Sequence, residues 1–311
     1  MSRSLAIHLG LLALLLAGNF VLPAYHHGNM ARIMTLAVYA VGYNIAFGYT
    51  GLLSLGHAMF FAAGMYGMGL AIRLGEAGAL PALASGLAAG AVLSVVVGLL
   101  ALRTAGVAFM IVTLMFSQAC FLAILYFSEW TRGDEGFVIQ AADRVLFGLD
   151  LSDPGNRYVA AWALFSVVFL GALWLVNRPM GRVFIAIREN EERARLLGYD
   201  TFRMKLAALV ISGTVSAAGG AAYGLLFGYA GASFAGVQYS IFPLLWVLLG
   251  GAGTVLGPLL GTLFMFYLID LSSGFTEAYM LIAGVVLVAL TLFAPQGIAG
   301  ELRRRVWKAL P

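Results

Sequence analysis

The sequence predicts an all-α, polytopic transmembrane helical bundle of about ten spans, several of them broken at glycines. Three observations carry that prediction. Of 311 residues, 62% are apolar and only 10% are Asp, Glu, Lys or Arg, against about 25% in soluble domains. The mean hydropathy is +0.94, and several apolar runs exceed the roughly 18 to 20 residues that cross a bilayer. Runs such as 9–17 and 92–102 lack the apolar–polar alternation of barrel strands. Helices are then the remaining solution, because lipid offers no partner to a backbone N–H or C=O.

The elements follow in order. The run 5–22 comes after a single Arg3, shows no small-residue cleavage site before Pro23, and reads as a retained span rather than a signal peptide. Residues 31–73 are nearly all apolar, but one helix of that length would run roughly 64 Å at 1.5 Å per residue, twice the hydrocarbon thickness. The break falls at Gly48-Tyr-Thr-Gly51, giving spans near 31–47 and 52–73. The run 80–127 divides at Arg103-Thr104, since an arginine at the bilayer centre costs several kcal/mol. The run 238–271 divides at Gly250-Gly251-Ala252-Gly253, and 157–176, 206–229 and 277–294 complete the set.

Charge placement orients these spans. The segment 177–205 carries seven basic residues, and the tail 300–311 carries Arg303, Arg304, Arg305 and Lys308. Ten spans put both, with both termini, on the cytoplasmic side, together with 13 of the 18 basic residues. The loop 128–156 then faces outside and holds six acids, including Asp134 and Glu135, against two arginines. Glycine supplies 39 residues, well above the average share of about 7%. Small residues recur at fourth positions in Gly220-xxx-Gly224-xxx-Gly228, Gly86-xxx-Gly90 and Gly257-xxx-Gly261, a pattern for close helix packing within one membrane domain covering 1–311.

Function classes narrow on what the chain contains. The lone Cys120 sits in an apolar run and reads as a small core residue. No paired carboxylates, Ser/His/Asp set or metal-ligand spacing appears, so the chain is read as a transport subunit and not an enzyme, with no metal site. The charge pattern gives no support to nucleic-acid binding. No Gly-xxxx-Gly-Lys-Ser/Thr loop occurs, so no nucleotide cofactor is expected on this chain.

The segment from Gly181 to Lys205 is too polar to span. Ile185 to Leu197 are mostly strong helix formers, Glu189 and Arg193 make an i,i+4 pair, and Gly198 is a C-terminal stop, which together predict a short amphipathic helix. Such a helix either rests on headgroups or docks a cytoplasmic partner.

Here the residues resemble a known family. Glu192-Arg193-Ala194-xxx-Gly198 looks like the Glu-Ala-Ala-xxx-Gly loop of ABC importer permeases, with Arg193 in place of the middle alanine. Gly48-Tyr-Thr-Gly-Leu-Leu-Ser-Leu-Gly-His57, Ala186-Ile-Arg188-Glu189-Asn-Glu-Glu192, Lys205-Leu-xxx-Val-Ile-Ser-Gly213 and Gly250-Gly-Ala-Gly-Thr-Val-Leu-Gly257-Pro258 are all similar to the branched-chain amino acid ABC permease family, LivM type. The resemblance covers about residues 30–300. It implies a multi-pass protein of the bacterial inner membrane, partnered by two ATPase subunits that bind ATP and Mg, a second related permease and a periplasmic substrate-binding protein. Arg188, Glu189, Glu192, Arg193, Ala194 and Gly198 would couple to the ATPases, with Ile187, Leu196 and Leu197 as apolar contacts. The acidic loop 128–156 would receive the binding protein.

Polar residues inside the membrane are few. Asn44, Ser54, His57, Thr113, Ser117 and Gln118 are the candidates for a substrate pathway, Thr113 and Ser117 sharing one helix face. Each has a plainer reading: a hydroxyl bonded back to its own helix, an amide bonded between helices, a histidine on a neighbouring carbonyl. His26-His27 reads as a solvated outer-loop pair, and Asp270 as a carboxylate reaching water near the end of its span. A path with these groups suits leucine, isoleucine or valine, and equally urea or a short amide. An ion-gradient transporter would need a buried acid or base for coupling, for which Asp270 and His57 are the only candidates.

Overall fold

A computed structural model describes residues 3–293 and 296–305. The helices, in chain order, are α1 (Arg3–Val21), α2 (Ala24–Asn44, continued by a π-helical turn Ile45–Tyr49), α3 (Ala58–Gly75), α4 (Ala79–Ala101), α5 (Val107–Tyr126), α6 (Ser128–Thr131), α7 (Pro154–Asn177), α8 (Pro179–Glu189), α9 (Glu191–Leu196), α10 (Thr201–Phe227), α11 (Val237–Gly250), α12 (Gly257–Ser273), α13 (Tyr279–Phe293) and α14 (Gly297–Arg305). Six of them, α2 with its π turn, α3, α4, α5, α7 and α10, are long and apolar enough to cross a membrane; Leu5–Val21, α11 and α12 are shorter apolar helices.

The centre of the bundle is α2, α3 and α10, and glycine sets how closely they meet. A Cβ on Gly220 of α10 would lie 1.9 Å from the Phe61 carbonyl oxygen, and one on Gly64 of α3 would lie 2.0 Å from that of Ala217. Backbones in contact gain dispersion over their whole crossing length, the main attraction left between helices in lipid. Tyr39, Phe61, Tyr223, Phe234, Tyr239 and Trp246 fill the space where α2, α3, α10 and α11 converge.

Three expectations are corrected. The second helix starts at Ala24 and not near 31, because Pro23 fixes an extended turn and a helix can begin directly after it. His26 and His27 therefore lie on that helix: His27 is buried, stacked on Tyr158 at 4.5 Å and hydrogen-bonded to Asn19 at 3.0 Å, while His26 meets Tyr267 at 3.0 Å. The predicted single helix 185–197 is two helices. Asn190 is extended (φ −161, ψ 102) and its side chain accepts from Arg193 N at 2.8 Å, so it caps α9 instead of continuing α8. With the break, Glu189 and Arg193 no longer sit one turn apart; Glu191 pairs instead with Arg195 at 3.3 Å and Lys205 at 2.7 Å.

The segment 128–156 is folded. Phe137–Val138 pairs antiparallel with Tyr229–Ala230 beyond α10, and Val145–Leu146 forms a hairpin with Leu149–Asp150. Its turn has positive φ at Phe147 and Gly148. The tail beyond Arg305 lies outside the described residues.

Candidate functional site

The chain between Tyr49 and Ala58 is not helical, and its first glycine, Gly51, has φ +77. The third span predicted from 52 thus begins at 58. Backbone left unpaired at membrane depth is costly, so it must be buried against partners. Side chains supply them. Leu55 N donates to Thr113 Oγ1 at 3.2 Å, Gly56 N to Ser54 Oγ at 3.2 Å and Ala58 N to Ser240 Oγ at 3.1 Å, and the Ser54 carbonyl accepts from Tyr43 at 3.0 Å. Ser54 and Thr113, pathway candidates by sequence, are fully buried and engaged here. His57 Nε2 lies 2.8 Å from Ser212 Oγ, which itself donates to the Gly42 carbonyl at 2.6 Å, so its partner is a hydroxyl of α10. Ser117 Oγ and Gln118 Nε2 are buried without a hydrogen-bond partner among the described residues.

The second irregular stretch runs from Gly251 (φ +117) through Gly253 (φ +76) to the start of α12 at Gly257. It meets the first. Asn44 accepts from Gly253 N and donates to the Thr254 carbonyl, both at 2.9 Å. A Cβ on Gly48 would lie 1.8 Å from Asn44 Oδ1, and one on Gly253 would lie 3.0 Å from the Gly48 carbonyl oxygen. Arg188, at the end of α8, donates through Nη1 to that same Gly48 carbonyl, and its Cγ would be 3.2 Å from a Cβ on Gly51. Gly48, Gly51, Gly253, Asn44 and Arg188 therefore form one junction, with Gly250 and Gly251 at the end of α11 beside it.

Of the predicted coupling residues, Arg188 belongs to this junction. Ala194 packs inside, in a small cluster with Val183 and Ile187. Ile187 is 5% exposed, which corrects its expected place on the outer contact surface. Glu189, Glu192 and Arg193 are exposed, as are Leu196 at 87% and Leu197 at 70%. Gly198 (φ +88) ends α9, with Tyr199 N reaching back to the Ala194 carbonyl and Gly198 N to that of Arg195. Those two bonds are the Schellman pattern that a left-handed glycine permits.

A cleft of about 340 Å³ opens where Leu52 and Leu53, the turn Thr104–Gly106, the start of α5, and Arg188, Glu191 and Lys205 meet. Partial burial resists ionisation of Glu191, but the hydrogen bond and charge of Lys205, with Thr201 and Arg195, outweigh it and hold the carboxyl below its ordinary range. Sequence reasoning assigns no site role to Tyr43, Ser212, Ser240 or Lys205, although Ser212 and Lys205 stand in a quoted motif. The available signal was Ser212-xxx-Ser216 on the small-residue face of α10, which reads as packing alone.

A bundle of six helices long and apolar enough to cross a membrane, with irregular glycine-rich segments tied to an exposed, charged helix pair, defines a multi-pass membrane protein. The family follows from comparison: the sequence model of the branched-chain amino acid transport system permease component matches residues 28–294, and the chain belongs to that family. It is 29% identical over 297 residues to the high-affinity branched-chain amino acid transport system permease protein LivM of Escherichia coli K12, covering 85% of this chain and 68% of that protein. The LivM protein of Salmonella typhimurium is 28% identical over 93% of this chain and 73% of its own length. The autoinducer 2 import system permease protein LsrC of Photorhabdus laumondii is 29% identical over 42% of each chain. No solved structure matches.

Proposed function

We propose that the chain is one of two permease subunits of an ATP-driven importer of branched-chain amino acids in the bacterial inner membrane. The observation that supports this best is the continuity from exposed α9, through Arg188, to the carbonyl of Gly48 and the turn at Gly253. In this reading α1 to α5, α7 and α10 to α13 make ten crossings, and both termini and α8–α9 lie in the cytoplasm with most of the basic residues. An ATPase subunit, carrying ATP and Mg, grips Glu192, Arg193, Leu196 and Leu197. Its closure displaces α8, and Arg188 transmits the shift to the ends of α2, α11 and α12, a contiguous chain of packed groups.

The exposed face of α5 and a second, related permease would enclose the path, with the cleft beside Arg188 as its inner mouth. Gln118, half-buried beside that face with its Nε2 unpartnered among the described residues, is the group offered to a zwitterion, while Ser117 lies on the buried stripe, and the apolar wall suits a branched aliphatic side chain. The folded 128–156 segment is the landing surface for a periplasmic binding protein.

The test is uptake into proteoliposomes holding the chain with its neighbouring-gene products. Labelled leucine, isoleucine or valine is expected to accumulate only with ATP on the ATPase side. Glu192→Lys is expected to leave assembly intact and to lower uptake per ATP hydrolysed. Uptake persisting on membrane potential with ATP depleted, or unchanged coupling in that variant, would overturn the reading.

A further inference from the structure

At the C-terminal end of α10 three arginines converge on two carboxylates, a surplus of positive charge. The guanidinium carbons of Arg32 and Arg157 lie 5.3 and 5.8 Å from the centre of the Phe227 ring, and Arg157 feels the charges of Arg144 and Arg32, opposed in part by those of Asp153 and Asp150. Arg144 donates to the Leu226 carbonyl at 3.4 Å; Arg157 donates to the carbonyls of Ser152 at 2.7 Å and Leu151 at 3.4 Å. None of the three makes an ion pair among the described residues, whose ion pairs are those of Glu191 and Asp200. Asp150 and Asp153 offset part of this charge at longer range, each also accepting a backbone N–H, from Ser152 and Asn156 respectively, which leaves three positive charges against two negative. The Nε–H of Arg144 is buried with no acceptor. Like charges gathered in this way repel, and a donor buried without an acceptor forfeits its hydration.

Directly beside them runs a groove of about 440 Å³ between α4, α7, α10 and the hairpin Val145–Asp150. Its wall is apolar apart from Asn156, and Leu151 and Leu226, whose carbonyls the arginines hold, both line it. Along α7 it extends from Asn156 to Val167, roughly 16 Å at 1.5 Å per residue. That is about half of a 30 Å hydrocarbon core. Phe147, 80% exposed, and Leu149, 52% exposed, stand at its mouth.

We propose that this is a binding site for one anionic phospholipid, its phosphate held by Arg144, Arg157 and Arg32 and one acyl chain lying in the groove. A protein partner would neutralise the arginines but would leave an apolar trough one leaflet deep unfilled. A lipid satisfies both, and the site needs only that α4, α7 and α10 cross a membrane, whatever the chain transports.

The experiment uses the full chain, delipidated in detergent and titrated with phosphatidylglycerol, with phosphatidylcholine of the same acyl chains, and with inorganic phosphate. Retention is read by native mass spectrometry and thermal shift. One phosphatidylglycerol is expected to bind about tenfold or more tightly than phosphatidylcholine, and phosphate alone is expected to give little protection. The Arg144→Gln/Arg157→Gln pair is expected to erase the headgroup preference. Ala163→Trp, at an exposed groove position on α7, is expected to weaken both lipids. If the double variant does not fold, Arg32→Gln on the exposed surface is expected to cut the preference alone. Equal retention of the two lipids, full protection by inorganic phosphate, or unchanged lipid binding in the arginine variants with lost docking of a binding protein would each overturn the proposal.

Discussion

The helices α2 and α5 are both apolar, both long enough to cross a membrane, and differ completely in surroundings. Within the apolar window of α2 83% of residues are buried inside the chain, and within that of α5 only 17%. The buried positions of α5 are Phe109, Thr113 and Ser117, one residue every four, a single stripe that meets the unwound segment before α3. Both qualify as spans by hydropathy, α5 being the more apolar, but hydropathy does not say which is buried in the chain, because lipid and protein interior are equally apolar. What separates them is shape: glycine at the contact and polar groups that need partners make a central helix, and large side chains all round make a peripheral one.

The contrast breaks most visibly at the centre. Gly220→Leu would drive a side chain into the Phe61 backbone, 1.9 Å from where its Cβ must stand. Overpacking of a core typically costs about 1–3 kcal/mol, and a backbone obstacle cannot rotate away, so the expected loss lies at or above about 3 kcal/mol. Detergent-solubilised yield and thermal unfolding measure it; a variant as stable as the parent would mean that α3 and α10 do not touch there.

At the junction the expected effect is somewhat smaller. Asn44→Leu removes two hydrogen bonds of 2.9 Å and strands Gly253 N–H and the Thr254 carbonyl. Leaving a buried polar group unpaired costs about 1–3 kcal/mol, so a loss of about 2 kcal/mol is expected, read in chemical or thermal unfolding. Asn44→Asp keeps the acceptor for Gly253 but sets a buried carboxylate oxygen against the Thr254 carbonyl, and is expected to cost at least as much as Asn44→Leu. A milder loss in Asn44→Asp would place the main effect on the Gly253 side.

Much of this centre is legible in the sequence. The glycines at 51 and at 251 and 253 announce non-helical backbone, although Gly48 stays in the π-helical turn and Gly250 ends α11, and the polar run 177–205 announces a segment unlike the long apolar helices. The meeting of the two glycine stretches through Asn44 and Arg188 is not legible, because it joins positions about 200 residues apart and depends on helix order in three dimensions. Nor is the split at Asn190: Asn in a run of Glu, Arg and Leu is only a mildly poor helix former, and its capping bond to Arg193 N decides the matter. His27 is illegible for a related reason, since a histidine in an outer loop looks solvated until Tyr158, far along the chain, stacks on it.

At the edge of the bundle, Glu191 bridges Arg195 and Lys205. Its carboxyl titrates below the ordinary carboxylate range, so the link is fully present above the unfolded value near pH 4.3 and is lost as pH falls through the lower, folded value. Stability is expected to be level from pH 7 to 5 on this account and to drop below about pH 4 by about 1 kcal/mol or less, the usual worth of a partly exposed pair. Glu191→Gln is expected to remove that acid-side slope and to lower stability at neutral pH by the same amount. An acid slope unchanged in Glu191→Gln would assign it to other carboxylates.

The smallest effect on the chain itself is expected on the outer face of α5. Met115 is 59% exposed and Leu122 60% exposed, and neither belongs to the stripe that touches the bundle. Met115→Trp should therefore shift the stability of the isolated chain by no more than about 0.5 kcal/mol. If that face packs against a second permease, the same change should weaken subunit pairing, measured by co-purification of a tagged partner at rising detergent. If it faces only lipid, pairing and stability both stay at the parent values, because tryptophan and methionine are each at home among acyl chains. The two readings of an exposed apolar helix, solvated by lipid or waiting for a subunit, part at this residue, and α2 offers the control: a bulky change at buried Ala40 should lower stability before any pairing is measured.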